Sequence, residues 1–245
     1  MTDTGKANHG DSYHHIVQDL REALGDEDQA LRRAIGGEFE AMGQIERDLL
    51  ISQGLRPDGF VVDVGCGSGR LAHPLSAYLN GPYLGTDVEP NLLAYARDLV
   101  GRPDWRFELS NGFALPAEDA TADIVCFFSV FTHLRHEESY RYLEEAKRIL
   151  KPTGRIVFSF LEFAVPNHWA VFDNNLLTAG DYQHLNQFMS RDGIEAWAEH
   201  LELRVEMWRG DQPHIPLLKP VTLEGGEHYD SLGALGQSVA VMQRA

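Results

Sequence analysis

The sequence predicts an α/β fold: a mostly parallel seven-stranded sheet with an antiparallel last strand and helices on both faces. Three observations lead there. Short apolar, β-branched runs alternate with helix-period segments along most of the chain, the pattern of strand–helix–strand units joined by right-handed crossovers. The last two strands are separated by a loop-like segment rich in Pro and Gly rather than by a helix, which suits an antiparallel closing pair. A length of 245 residues with 43% hydrophobic content fits one well-cored domain with at most a small appended lobe.

Taken in order, the first dozen residues are rich in Gly, Asn, Asp and His and are expected to fray or form a mobile arm, with structure beginning near Tyr13. Phe39, Met42, Ile45, Leu49 and Leu50 recur at helical spacing, predicting an amphipathic helix closed by Gly54. Residues 1–54 thus form an expected helical lid region ahead of a core at 55–245. After the turn Arg56-Pro57-Asp58-Gly59, the run FVVDVG predicts a buried parallel strand. A helix over 68–78, a strand PYLGTD, a helix over 90–99 opened by Pro90, and a strand RFELS follow. DIVCFFSV is the most continuous apolar run and is placed centrally. Tyr140, Leu143, Ala146, Ile149 and Leu150 mark the next helix, which Lys151-Pro152-Thr153-Gly154 is expected to end. A fifth strand is predicted over 155–160, a helix over 191–200, and strands over 201–208 and 237–242.

Composition narrows the function. Lys plus Arg number 21 against 37 Asp plus Glu, a net charge of -16, so nucleic acid and anionic membrane surfaces are poor partners. Cys66 and Cys126 have no CxxC spacing, which argues against a disulfide framework or zinc site and fits a reducing cytoplasm. No apolar signal core opens the chain and no run approaches the ~18 apolar residues of a spanning helix.

VVDVGCGSGR places Gly65, Gly67 and Gly69 between a strand and a helix, where backbone N–H groups can approach a ligand closely. Asp63 lies two residues before the first glycine, and Arg70 stands where a dinucleotide fingerprint has Gly or Ala. That aspartate repels a pyrophosphate and favours a cationic ligand. Asp87 ends the second strand 22 residues beyond Gly65, a spacing at which an acid reaches both ribose hydroxyls. The other reading of Asp87 is a cap on the following helix.

On these residues the sequence resembles the class I S-adenosylmethionine (SAM)-dependent methyltransferase superfamily, whose first motif matches DVGCGSG and whose second-strand acid matches Asp87. The resemblance spans about residues 60–160 and takes in Asn111-Gly112, DIVCFFSVFTHL and LKPTGRIVFSF. It implies a Rossmann-like core with SAM as cofactor. Asp63, Gly65 and Gly67 would lie along the methionine part, Asp87 on the ribose, and Asn111 and Gly112 beside the adenine, with Cys66, Gly69, Arg70, Val88 and Ser129 as further cofactor contacts. Asn111 replaces the more usual aspartate, yet an amide still donates to and accepts from the adenine edge. Arg70 reads either as a contact to the cofactor carboxylate or as a solvated helix residue.

Methyl transfer to a hydroxyl requires alignment and proton removal. His133, in the segment after the fourth strand that faces the methyl in this superfamily, is the candidate catalytic base; the competing reading is helix capping or packing. His133 and His136 have no third ligand at sensible spacing, so no metal is expected. His14-His15 reads either as part of a lid or as a solvated helix start. Acceptor specificity is expected in two departures from regular crossovers, at about 161–190 and 209–236. The first carries Trp169, Phe172, Asp173, Asn174, Asn175, Tyr182 and His184, of which Trp169, Asn174, Tyr182 and His184 are the substrate candidates. The second carries His214, Pro216, His228 and Tyr229. For each of these aromatics the competing role is packing the insertion onto the sheet edge.

The favoured reading is O-methylation of a small polar metabolite, a sugar or natural product. N- or S-methylation of a small molecule is the alternative, and a nicotinamide-dependent oxidoreductase or a non-catalytic SAM-binding module are the competitors from other classes. FFSV stands where a nucleobase amino-methyltransferase has an Asn/Asp-Pro-Pro-aromatic signature, which disfavours that class.

Overall fold

A computed structural model of the chain describes residues 9–177 and 185–245. Seven strands form one sheet: β1 (Val61–Val64), β2 (Tyr83–Asp87), β3 (Arg106–Leu109), β4 (Ala122–Phe127), β5 (Leu150–Phe160), β6 (Leu203–Trp208) and β7 (Ser238–Arg244). Their spatial order is β3-β2-β1-β4-β5-β7-β6. The first five pair in parallel, and β7 inserts antiparallel between β5 and β6. The Rossmann-like sheet expected from the sequence is therefore the one observed.

Among the described residues the α-helices are α1 (His9–Leu24), α2 (Glu27–Ala34), α3 (Phe39–Ser52), α4 (Ala72–Ser76), α5 (Pro90–Val100), α6 (His136–Ile149), α7 (Trp169–Leu177) and α8 (Arg191–His200). Every residue of β1 and β2 is buried, because helices cover both faces and leave no solvent side to select polar alternation. Period-two geometry sends Val61, Ile124 and Cys126 to one face, with Ile45, Leu49, Leu75 and Leu93. Val62, Val64, Val125 and Phe127 go to the other, with Leu143, Ala146, Ile194 and Ala198. A third apolar cluster, Val17, Leu31, Ala34 and Leu92, seats α1 and α2 on α5.

Several boundaries differ from the sequence reading. α6 does end just before Lys151, at Ile149, but Lys151 to Gly154 lie in a strand: β5 begins at Leu150 rather than Arg155, and Leu150 pairs with Ala122 before a register shift brings Ile124 opposite Arg155. The helix predicted over 68–78 is regular only at Ala72–Ser76, since the positive φ of Gly69 prolongs the turn. The predicted strand over 201–208 starts at Leu203, because Leu201 caps α8 and Glu202 takes φ 53. The loop-like segment before β7 holds two short antiparallel ladders, Ile215–Pro216 with Leu232–Gly233 and Val221–Thr222 with His228–Tyr229. At the N-terminus α1 starts at His9, four residues before Tyr13, and residues 1–8 of the expected mobile arm lie outside the described residues. Among the described residues no helix is long and apolar enough to cross a membrane.

Candidate functional site

A cavity of about 970 Å³ opens at the carboxyl ends of β1 to β4. It lies where the chain order reverses about β1, the crevice in which open α/β sheets bind ligands. Asp63, Gly65, Cys66, Arg70, Asp87, Val88, Asn111, Gly112, Ser129 and His133 all line it. Gly67 and Gly69 do not.

The glycine turn explains that division. Gly65, Gly67 and Gly69 all have positive φ (73, 54 and 87°). A Cβ on Gly65 would sit 2.5 Å from Val130 Cγ2, and one on Gly67 2.5 Å from Ile35 Cγ2. Space that the sequence reading reserves for ligand at Gly67 and Gly69 is taken by Ile35 and Ala96. The turn's amides are also engaged. Gly65 and Cys66 N–H donate to Thr86 O (2.7 and 3.0 Å), Gly67 N–H to Asp87 Oδ2 (2.8 Å), and Gly69 N–H to Cys66 O (3.0 Å). An anion-binding nest needs such donors pointing outward, and here four of them point into the protein.

Acidic groups dominate the same wall. Asp63 is 2% exposed and accepts from Tyr83 OH at 2.7 Å, with the Cys126 thiol 3.7 Å from its other oxygen. Burial pushes its pKa up to about 7 against those hydrogen bonds. Glu46, projecting from α3 at 2% exposure, pairs with Arg70 at 2.6 Å. Burial raises its pKa while Arg70 opposes the rise. Arg70 also donates to Gly36 O (2.9 Å), so it is not the solvated helix residue that one reading allowed. Two buried carboxyls thus face one guanidinium, an arrangement that accepts a cation and repels a pyrophosphate.

Asp87 accepts from Gly67 N–H and, at 3.0 Å, from Glu89 N–H. Burial raises its pKa, and those backbone donors lower it. A carboxylate has about four acceptor directions, so these donors leave acceptor capacity for a ligand hydroxyl. Capping of α5, the competing role for Asp87, falls to Glu89, whose Oε1 accepts from Asn91 N–H at 3.2 Å. Beyond it, Tyr142 OH and Ser110 Oγ both donate to Gly112 O at 3.1 Å. Phe113 packs edge-on against Tyr142, giving this end of the cavity an aromatic wall.

At the end of β4, Ser129 takes φ 58. Ser159 Oγ accepts from Ser129 N–H at 2.8 Å, Gln237 Nε2 donates to Ser129 Oγ at 3.1 Å, and Ser159 Oγ donates to Gln237 Oε1 at 2.7 Å. This closed triangle holds a left-handed conformation that a serine adopts only under such constraint. His133 follows in a short 3-10 turn, Phe131–His133. Its Nδ1 lies 2.8 Å from Leu185 O. A carbonyl only accepts, so Nδ1 carries the proton and Nε2 is the basic nitrogen of the neutral ring. His136 Nε2 likewise donates to Phe188 O at 3.1 Å, so the two histidines fasten the 185–188 segment.

The substrate candidates separate. Trp169 and Asn174 lie on α7 and do not line the cavity, while Tyr182 and His184 lie outside the described residues. His214 stacks on Trp208 at 5.6 Å, with burial lowering its pKa, and Tyr229 OH donates to Glu227 at 2.9 Å; neither reaches the cavity. The 209–236 segment instead packs on α3, where Leu218 N–H donates to Asp48 Oδ2. His14 sits 3.6 Å from Glu89 and does not line the cavity. Among the described residues no group of three His, Cys, Asp or Glu could hold a metal.

Sequence reasoning missed Glu46, Ile35 and Gln237. Glu46 had a visible signal: it shares the helical face of Met42, Ile45 and Leu49, where an acid is out of place. Ile35 and Gln237 carry no local signal, since only the fold brings them to the turn and to Ser129.

Residues 62–158 match a family described as a methyltransferase domain. The malonyl-[acyl-carrier protein] O-methyltransferase of Hahella chejuensis is 26% identical over 151 residues, covering 60% of this chain and 51% of that protein. A ubiquinone biosynthesis O-methyltransferase of Cereibacter sphaeroides is 32% identical over 123 residues, covering 48% and 47%. The chain spans about half the length of these curated relatives. Among solved structures, the magnesium protoporphyrin IX methyltransferase of Synechocystis PCC 6803, with SAH bound, superposes with TM-score 0.63 at 15% identity over 98% of this chain and 100% of that one.

Proposed function

We propose, on the premise that residues 62–158 are a methyltransferase domain of the class I SAM-dependent superfamily, that this chain methylates a hydroxyl of a small molecule, a natural product or a sugar. The observation that carries the cofactor assignment is the inward engagement of the turn's amides beside buried Asp63 and Glu46. That chemistry fits a nucleoside-bearing cation and disfavours a dinucleotide, and so disfavours the oxidoreductase reading.

SAM, when bound, supplies an electrophilic methyl on a sulfonium. The chain's residues then have three tasks. Asp63 and Glu46 face the amino-acid end, with Arg70 as the cation available to its carboxylate. Asp87 offers its remaining acceptor directions to the ribose hydroxyls, and Asn111, Gly112, Phe113 and Val88 receive the adenine. His133, a wall residue of the cavity, would serve as the general base that takes the proton of the acceptor hydroxyl. The O-methyltransferase names of the relatives above support an oxygen acceptor over nitrogen or sulfur.

His133→Ala tests the assignment. Methyl transfer from labelled SAM into a metabolite extract is expected to fall ~10²-fold or more, the usual contribution of a general base, with S-adenosylhomocysteine (SAH) affinity within about twofold of wild type. Unchanged turnover returns His133 to a purely structural role, and NAD binding without SAH binding overturns the methyltransferase reading.

A further inference from the structure

We propose that the methyl acceptor carries an apolar body, aromatic or alkyl, which rests on a shelf built from exposed Phe163 and Trp169 and half-buried Phe172, stacked on buried Phe188. This rests on the reading of the cavity as a methyltransferase site and narrows its acceptor toward a hydroxylated, lipophilic natural product rather than a free sugar.

Exposure of large apolar side chains is concentrated in one segment. Phe163 is 48% exposed, Trp169 44%, Leu176 61%, Leu177 86% and Leu185 40%. Only Leu109, Leu218 and Leu232 share that condition elsewhere among the described residues. α7 (WAVFDNNLL) buries none of its residues although its sequence is largely apolar. Scattered exposed leucines need no explanation, but a contiguous apolar patch on an otherwise strongly acidic surface marks a binding surface.

The rings form one preorganised unit. Phe163 stacks on Phe188 at 4.3 Å with planes 17° apart, and lies 5.3 Å from both Trp169 and Phe172. Trp169 and Phe172 meet edge-on at 5.4 Å. Trp169 Nε1, the only polar side-chain atom of the four rings, donates to Phe163 O at 2.9 Å, so what the shelf offers outward is apolar.

None of the four rings lines the cavity, but the segment that carries Phe188 is continuous through hydrogen bonds with its catalytic end. Phe188 belongs to the segment bonded to His133 and His136, and that segment also places Gln187 N–H on Thr132 O at 2.6 Å. Leu161, at the carboxyl end of β5, bridges Phe188 in parallel. An acceptor hydroxyl at His133 therefore has the shelf as the next surface for the rest of the molecule. This continuity favours an acceptor over a membrane or a second chain as the occupant.

The test compares phenol with 4-hexylphenol, titrated into the protein with and without SAH and read by calorimetry and by the Trp169 indole N–H resonance. A buried methylene improves affinity about fourfold, so the expected result is 4-hexylphenol binding at least tenfold tighter than phenol, with the Trp169 resonance shifting. Phe163→Ala and Trp169→Ala, both at partly exposed positions, are expected to remove most of that advantage while SAH affinity stays within twofold. Equal affinities for the two phenols, or an advantage that survives both substitutions, overturn the proposal. So does a shelf that instead drives co-sedimentation with phosphatidylcholine vesicles or dimerisation, lost in Trp169→Ala, with no hexyl effect. Failure of SAH to bind strikes the methyltransferase reading instead, and the phenol pair still reports on the shelf.

Discussion

Asp63→Asn isolates the electrostatic character of the site. The carboxyl is 2% exposed, and burial holds its pKa at about 7 in the folded protein against an ordinary 3.8. A carboxyl whose pKa is raised by folding contributes stability that is full below pH 3.8 and is lost as the pH climbs toward about 7. The gap between those two values, at about 1.36 kcal/mol per pH unit, is roughly 4 kcal/mol. Asparagine keeps a carbonyl to accept from Tyr83 OH and does not ionise. Carboxyls remote from Asp63 move both proteins alike, so the difference between variant and wild type carries the signal of Asp63 and of its coupling to Glu46. Urea unfolding of the ligand-free proteins at fixed ionic strength is expected to show the variant gaining ~4 kcal/mol on wild type between pH 4 and pH 7.5. Stability curves that run parallel, with the difference changing by less than about 1 kcal/mol, would refute a buried, ionisation-resistant Asp63.

Arg70→Met strands Glu46 beside Asp63 and is expected to cost about 3–5 kcal/mol, a Tm decrease of roughly 6–20 °C; adding Glu46→Leu should restore most of it, and a double variant no more stable than the single one argues against the buried pair. Gly67→Ala forces a left-handed alanine against Ile35 and is expected to lose about 2–4 kcal/mol by denaturant titration, with Ile35→Ala recovering the steric part. Asp87→Ala is expected to weaken SAH about 10²-fold by calorimetry and, by removing the acceptor for two buried amides, to destabilise the fold by about 2–6 kcal/mol. Retained SAH affinity in a folded Asp87→Ala protein removes the ribose assignment.

Much of the fold was legible because its signals are local. β1, β2 and β4 are short apolar runs bounded by turns, and α5 announces both ends, with Pro90 in its first turn and Gly101 in the left-handed conformation at its close. Errors fell where a tertiary partner overrides local chemistry. Lys151-Pro152-Thr153-Gly154 has turn composition, yet Leu150 pairs with Ala122 and draws the segment into β5. The segment before β7 reads as a loop, but ladders only two residues long leave no periodic trace.

The candidate site divides in the same way. The sequence by itself determined a glycine turn between a strand and a helix, an acid on the strand before it and another ending the next strand, because those are positions along one chain. The tertiary structure decided the rest: that Asp87 holds the turn through Gly67 while Glu89 caps the helix, that Arg70 answers Glu46 from α3, and that Gln237 braces Ser129 from the far end of the chain. It also decided that Ile35 and Val130 press on the glycines. Those relations depend on distance, burial and hydrogen-bond direction between elements far apart in sequence, and local residue chemistry encodes none of the three.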